Sequence, residues 1–427
     1  MKYGCRVVRK VKQRSGLRVM LCVLFFFAFA AQSHCASTHH VANETRAGHS
    51  PKVLAGLDRL EAQRFAPLRG KHVGIITNHT GLDAQGRTTV EVLTHYPGLQ
   101  VVALFSPEHG LTGTKDEENL GSGKDPATGL PIYSLYGDTR RPTEQMLKGI
   151  DALVFDIQDA GVRFYTYTTT MAYCMEEASK HKIAFFVLDR PNPLGGEIVE
   201  GPMLDADKTS FTAYFPLPVR YGLTIGELAK LFNEQAKIQC ELHVIAMKNW
   251  RRNYFYEDTE ICWVPPSPNL RTLKGSILYP GLEILQNANI SVGRGTEAPF
   301  GEFGAPWING DVVAGELNSR RIAGVNFIAA DFVPASGLYA GQKCGGVSIR
   351  VSDKRAVRSM SMGIEIAAEL KERYPAQFDV TKLLLLTGNA ETIIELQQGV
   401  AAREIIQGWT RDLADFEKVR VKYLLYK

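Results

Sequence analysis

The sequence lacks the markers of several common protein classes. It has no C-x-x-C pair. Beyond position 35 its only cysteines are Cys174, Cys240, Cys262 and Cys344, too dispersed for a zinc site and too few for a disulfide scaffold in 427 residues. One disulfide is compatible with an exported chain, but the spacing pairs no two of them. No G-x-G-x-x-G follows the first apolar strand, so a dinucleotide has no phosphate cradle there. Gly121-Ser122-Gly123-Lys124 imitates a P-loop, yet Glu118 stands where its first glycine belongs and Asp125 where its Ser/Thr belongs. No nucleophilic Ser or Cys motif occurs, and there are no internal repeats. His79, His109, Glu108 and Asp156 are potential metal ligands, but no histidine pair has i, i+4 spacing and no carboxylate–histidine zinc motif is present. Neither a cofactor nor a metal is expected.

Acidic residues are missing from the first 33 positions, which hold seven Lys/Arg. A basic stretch, the apolar run Val19–Ala31 and small residues after it make residues 1–33 a signal peptide. The run is short for a membrane span, so no stable insertion is expected once it is removed. Cys35 raises a lipoprotein alternative, but Gln32-Ser33-His34 does not make a lipobox. Without the leader, the formal charge of +4 becomes −3, which removes any argument for a nucleic-acid partner. The expected organisation is a signal peptide (1–33), a linker (34–52), a Rossmann-like domain (53–210) and an α+β domain (211–427), in a chain exported to the periplasm or the exterior.

From Val53 strand and helix signals alternate. His72–Thr77, Val101–Phe105, Ala152–Phe155 and Ile183–Leu188 read as strands; Thr89–Tyr96, Thr143–Ile150 and Tyr165–Lys182 read as helices. This order predicts an α/β fold with a parallel sheet and right-handed crossovers. Leu111–Pro142 reads as a glycine-rich loop covering the site. The second half promises a helix at Ile225–Gln235, opened by a Thr224/Glu227 capping box. Strands are expected at Leu242–Met247 and Gly345–Val351, and helices at Leu282–Asn287, Arg355–Tyr374 and within Ala401–Tyr426.

Each of the four parallel strands ends in polar residues: Asn78/His79, Glu108/His109, Asp156/Gln158/Asp159 and Asp189/Arg190/Asn192. Parallel strands bring these ends to one edge, where α/β sheets hold their ligands. A cap or a surface ion pair explains any one cluster; four together favour an active site. Arg163 and Tyr165 follow the third strand end. Arg294, between Gly293 and Gly295 with Glu297 beyond, is a candidate for meeting an anionic ligand. Carboxylates, arginines and aromatic residues without a nucleophile motif suit acid/base chemistry on a glycan. Glu108, behind Pro107 and between Phe105 and Leu111, is the candidate acid; Asp156 or Asp159 is the second group. Asn78, His79, His109, Gln158, Arg163, Tyr165, Arg190, Asn192, Arg294 and Glu297 are the candidate binding residues.

The stretches GIITNHTG (74–81), LFSPEHGLTG (104–113), DIQDAGVRFYTY (156–167), LDRPNPLGG (188–196), PSPNL (266–270), YPG (279–281), GRGTEAPF (293–300) and GAPW (304–307) resemble the NamZ-type exo-β-N-acetylmuramidases, formerly a domain-of-unknown-function family. The resemblance implies a Rossmann-like domain joined to a second domain, with the active cleft between them. It implies removal of N-acetylmuramic acid from non-reducing ends of peptidoglycan fragments, with Glu108 as the acid. The competing readings are a non-catalytic muropeptide-binding protein and a metal-dependent esterase or amidase.

Overall fold

A computed structural model describes residues 52–113 and 121–427. The expected leader, all but the last residue of the expected linker, with Cys35, and part of the expected covering loop lie outside the described residues.

The strands in chain order are β1 His72–Thr77, β2 Gln100–Ser106, β3 Gly123–Lys124, β4 Pro131–Ser134, β5 Ala152–Asp156, β6 Ala184–Leu188, β7 Glu200–Met203, β8 Pro218–Arg220, β9 Leu242–Ile245, β10 Glu302–Ala305, β11 Val325–Phe332 and β12 Cys344–Val351. Seven form one sheet in the order β3-β4-β2-β1-β5-β6-β9, parallel except for β3. The chain leaves β1 toward β2 on one side and later returns to β5 on the other. The switch point is therefore at the carboxyl ends of β1 and β5.

The apolar strands alternate between two buried faces. Val73, Ile75, Leu104, Val154 and Phe186 pack under the helices Gly56–Ala62 and Thr89–Thr94. Ile76, Phe105, Phe155, Phe185 and Val187 pack under Thr166–Lys180 and Ile225–Gln235. Burial on both sides explains why these strands read as continuous hydrophobic runs.

Two expectations are corrected. Leu111–Pro142 is not simply a loop: Ile132, Tyr133 and Ser134 pair with β2, and Gly123–Lys124 pairs with β4. Glycine, proline and short length hid these strands from the pattern. Leu242–Ile245, assigned to the second domain, is the last strand of the first sheet, pairing with β6. A boundary at residue 210 therefore cuts across the sheet.

The second half carries the antiparallel sheet β10-β12-β11. The apolar helix signal at 282–287 belongs to the end of an earlier helix, Leu273–Leu282, which continues as a 3₁₀ turn, Glu283–Leu285. This helix meets Ser359–Arg373 in backbone contact. A Cβ on Gly281 would lie 1.8 Å from the Ser359 carbonyl oxygen, and one on Gly363 would lie 2.4 Å from that of Gly281. That close approach fixes the end of the helix, and with it Tyr279 and Glu283.

The capping box forms as expected: the Glu227 amide donates to Thr224 Oγ1, and the Thr224 amide donates to Glu227 Oε2. The described cysteines are all free. No helix among the described residues is long and apolar enough to cross a membrane.

Candidate active site

Glu108 follows β2 on a sharply turned backbone. His109 and Gly110 both take left-handed conformations, with φ of 66° and 73°; this is uncommon for a residue with a side chain. The turn aims the Glu108 carboxylate at the first residue of the helix Thr166–Lys180, where the Thr166 hydroxyl donates to Oε2. Among the described residues nothing donates to Oε1, and Glu108 is only half-buried. The Tyr167 hydroxyl sits behind, 2.7 Å from the Pro266 carbonyl and 3.4 Å from that of Glu108.

Around this carboxylate the structure gathers much of what the strand ends offered. Asn78 folds onto its own turn, accepting from the Thr80 amide at 3.0 Å and the Thr80 hydroxyl at 2.6 Å. His79 Nε2 lies 2.8 Å from the Pro265 carbonyl, and its buried Nδ1 has no hydrogen-bond partner. Burial lowers the pKa of His79, and His109 nearby adds to the effect. Tyr165 packs edge-on to Tyr167 and Tyr279, with centroids 4.9 and 6.1 Å away. Tyr279 in turn packs against Phe300 at 4.8 Å.

That aromatic chain leads to a group the sequence reading missed. Glu283 is 5 % exposed; its Oε1 lies 2.6 Å from Arg294 Nη2, while Oε2 is buried without a partner. Burial and the nearby Glu108 charge push Glu283 up to about 7, against the pull of Arg294. Its sequence signal was a single carboxylate in the apolar run Ile277–Leu285, which needs a buried partner. Arg294 keeps its side chain about one-third exposed, with the guanidinium 5.2 Å from the centre of the Phe300 ring. Gly293 and Gly295, at φ 77° and 80°, provide the expected turn. Glu297 is exposed on the same loop.

Other candidates have their polar groups held by the protein itself. Asp156, proposed as a catalytic group, is fully buried in a two-pronged pair with Arg190, at 2.5 and 2.8 Å, and also accepts from Thr89 Oγ1 at 2.5 Å. These partners hold both of its oxygens. Arg190 spends its charge on that pair and on the Leu82 carbonyl, and lines a cavity of about 160 Å³ with Thr80, Gln158 and Tyr256. Arg163, proposed to bind substrate, is 1 % exposed and donates to the carbonyls of Pro202, Leu217, Leu386 and Thr387. It ties the chain around 386 to the first half, and burial lowers its pKa to about 9. Asn192 bridges the Leu223 carbonyl and the Leu194 amide.

Asp159 is intermediate. One oxygen accepts from the Gly161 amide and the Tyr221 hydroxyl, and the other is buried without a partner; burial raises its pKa to about 6. Gln158 donates to the carbonyls of Asp159 and Pro191, both at 2.8 Å, leaving its own oxygen unpartnered. Among the described residues, no group of three or more His, Cys, Asp or Glu is arranged to hold a metal ion.

The fold defines a doubly wound α/β protein that brings a sheet-edge carboxylate, Glu108, near the Glu283–Arg294 pair from its second half. The chain belongs to the exo-beta-N-acetylmuramidase NamZ family, and so to the glycoside hydrolases: the family's N-terminal part matches residues 73–274 and its C-terminal part 277–426. It is 40 % identical over 388 residues to the peptidoglycan beta-N-acetylmuramidase NamZ of Bacillus subtilis, covering 90 % of this chain and 94 % of that one. Crystal structures of two DUF1343 family proteins from Bacteroides fragilis are similar. One has a TM-score of 0.83 at 36 % identity and the other 0.74 at 31 %; each match covers 88 % of this chain and 99 % of the other.

Proposed function

We propose that this chain is an exported exo-β-N-acetylmuramidase, releasing N-acetylmuramic acid from the non-reducing ends of peptidoglycan fragments. The observation that carries the reading is the setting of Glu108. One of its oxygens is anchored by Thr166 and the other has no hydrogen-bond partner among the described residues, at the sheet edge where the family's SPEHG and RFYTY segments meet. In this reading Glu108 gives its proton to the glycosidic oxygen as the bond to C1 breaks, the oxygen of water joins C1, and the proton that this water sheds restores the Glu108 carboxyl by way of solvent. Muramic acid differs from N-acetylglucosamine by a lactyl ether carboxylate, which an arginine would suit; of the candidate binding arginines, Arg163 and Arg190 are buried and committed to other partners. Arg294 is the one partly exposed. Export is supported by the leader's composition and by the location of the substrate class.

The test is turnover of a para-nitrophenyl muramoside and the corresponding glucosaminide by the chain from Ala36 onward. Release from the muramoside alone is expected. Glu108→Gln should lower that rate by about 10²–10⁴-fold with an unchanged melting temperature. Full activity in this variant would remove Glu108 from the mechanism, and muramyl binding without turnover would make the chain a binding protein.

A further inference from the structure

The proposed function leaves Glu283 unused, although it is a buried carboxylate on which the Glu108 charge acts. It comes from the second half of the chain, at the end of a helix fixed by the Gly281–Gly363 crossing. Its contacts are asymmetric: Oε1 holds Arg294, while Oε2 is buried with no hydrogen-bond partner. A buried carboxylate with one oxygen unsatisfied depends heavily on its single cation. Arg294, by contrast, keeps about a third of its side chain exposed, so it is the solvent-accessible member of the pair.

We infer that Glu283 is a positioning residue that exchanges Arg294 for a proton when the substrate's carboxylate binds. This deepens the reading of Arg294 given above and rests on it. The lactyl carboxylate takes the guanidinium that Glu283 held, in the charge-assisted geometry arginine favours. Glu283, deprived of its cation in a buried setting, takes one proton from solvent, which becomes a hydroxyl on the carboxyl group. Binding then adds one anion and one proton, and no uncompensated charge remains in the site. A neutral sugar such as N-acetylglucosamine leaves the Arg294–Glu283 pair in place.

The groups acting on Glu283 support the sign. Arg294, from the loop after the helix, lowers its pKa; Glu108, from the end of β2, raises it together with burial, placing it at about 7. The Tyr279 phenol on the same helix is held neutral by burial. The segments packed behind, Ser359–Arg373 and Val380–Thr387, bring no charge to bear on it. Losing Arg294 raises the Glu283 pKa further, so the complex holds a proton that the free protein releases as pH rises through about 7. Affinity for the acidic sugar therefore falls at higher pH, by up to about tenfold per unit.

The experiment measures inhibition of muramoside hydrolysis by free N-acetylmuramic acid and by N-acetylglucosamine from pH 6 to 8.5, in the wild type and Glu283→Gln. Calorimetry of N-acetylmuramic acid binding in buffers of different ionisation enthalpy gives the proton count. The expected result is a muramic acid inhibition constant that rises with pH, a flat one for N-acetylglucosamine, and uptake approaching one proton near pH 7.5. Glu283→Gln should abolish the slope and the uptake. Glu283→Asp, used if the glutamine variant does not fold, should keep an uptake whose midpoint is displaced. Equal slopes in wild type and variant, or no uptake in the wild type, would overturn the exchange. Muramoside turnover by the wild type reports separately on the proposed function.

Discussion

The same sheet edge carries two kinds of carboxylate. At β5 and β6, Asp156 and Asp189 are saturated. Asp156 is held by Arg190 and Thr89; Asp189 accepts from the Tyr426 and Thr224 hydroxyls at 2.5 and 2.8 Å and from the Gly226 and Arg190 amides at 2.8 and 3.0 Å. At β2 and after the helix Leu273–Leu282, Glu108 and Glu283 each keep an oxygen with no hydrogen-bond partner among the described residues. In sequence these four are indistinguishable polar residues near the end of an apolar run. The difference is whether the fold has already satisfied their hydrogen-bonding capacity. A saturated group holds elements together, and an unsaturated one retains capacity for a ligand.

The largest effect that would break this contrast is on stability. Asp156→Ala leaves the Arg190 guanidinium buried without its counter-ion, a change that costs about 3–5 kcal/mol. Thermal or urea unfolding should show that loss, and activity should disappear with the fold. A variant that melts like the wild type yet has lost catalysis would return Asp156 to the chemistry.

How far the sequence disclosed this contrast follows from what pattern can carry. The strands could be read because β1, β2, β5 and β6 are buried on both faces, which forces continuous apolar runs. The edge location of Asn78, Glu108 and Asp156 followed from parallel pairing. Their division of labour did not, since it depends on where Thr166, Thr89 and Arg190 point. Arg163 shows the limit: its four carbonyl partners come from segments 39 to 224 residues away, and no local pattern encodes them. Glu283 was hidden for the opposite reason, because its neighbours are apolar and its partner lies eleven residues on, past a turn.

Arg163 and Arg294 sharpen the same contrast between cations. Arg294→Ala leaves Glu283 buried without its cation, so stability should fall, by less than for Asp156→Ala because the Glu283 carboxyl can take up a proton in its place. The preference for muramic acid over N-acetylglucosamine should fall by about 10–100-fold, the value of a charge-assisted hydrogen bond to a carboxylate. Competition between the two sugars against the muramoside measures it. An undiminished preference would mean that the lactyl group is read elsewhere.

Asp159 lies between the two classes, and its replacement should have the smallest effect. It is buried, with one oxygen satisfied by Gly161 and Tyr221 and the other by nothing. Burial raises its folded pKa to about 6, above the ordinary aspartate value of 3.8. The raised value favours folding while the group is protonated. This contribution is complete below about pH 4 and lost as pH rises through 6, amounting to at most about 3 kcal/mol. Asp159→Asn keeps the shape and the acceptor for Tyr221 and removes the ionisation. Unfolding at pH 4 and 6.5 should show a smaller stability difference for the variant than for the wild type, with kcat within about tenfold. If instead the melting behaviour is unchanged and kcat falls more than about 100-fold, Asp159 belongs with Glu108 as the second group of the reaction, its unpartnered oxygen being the one that reaches the sugar.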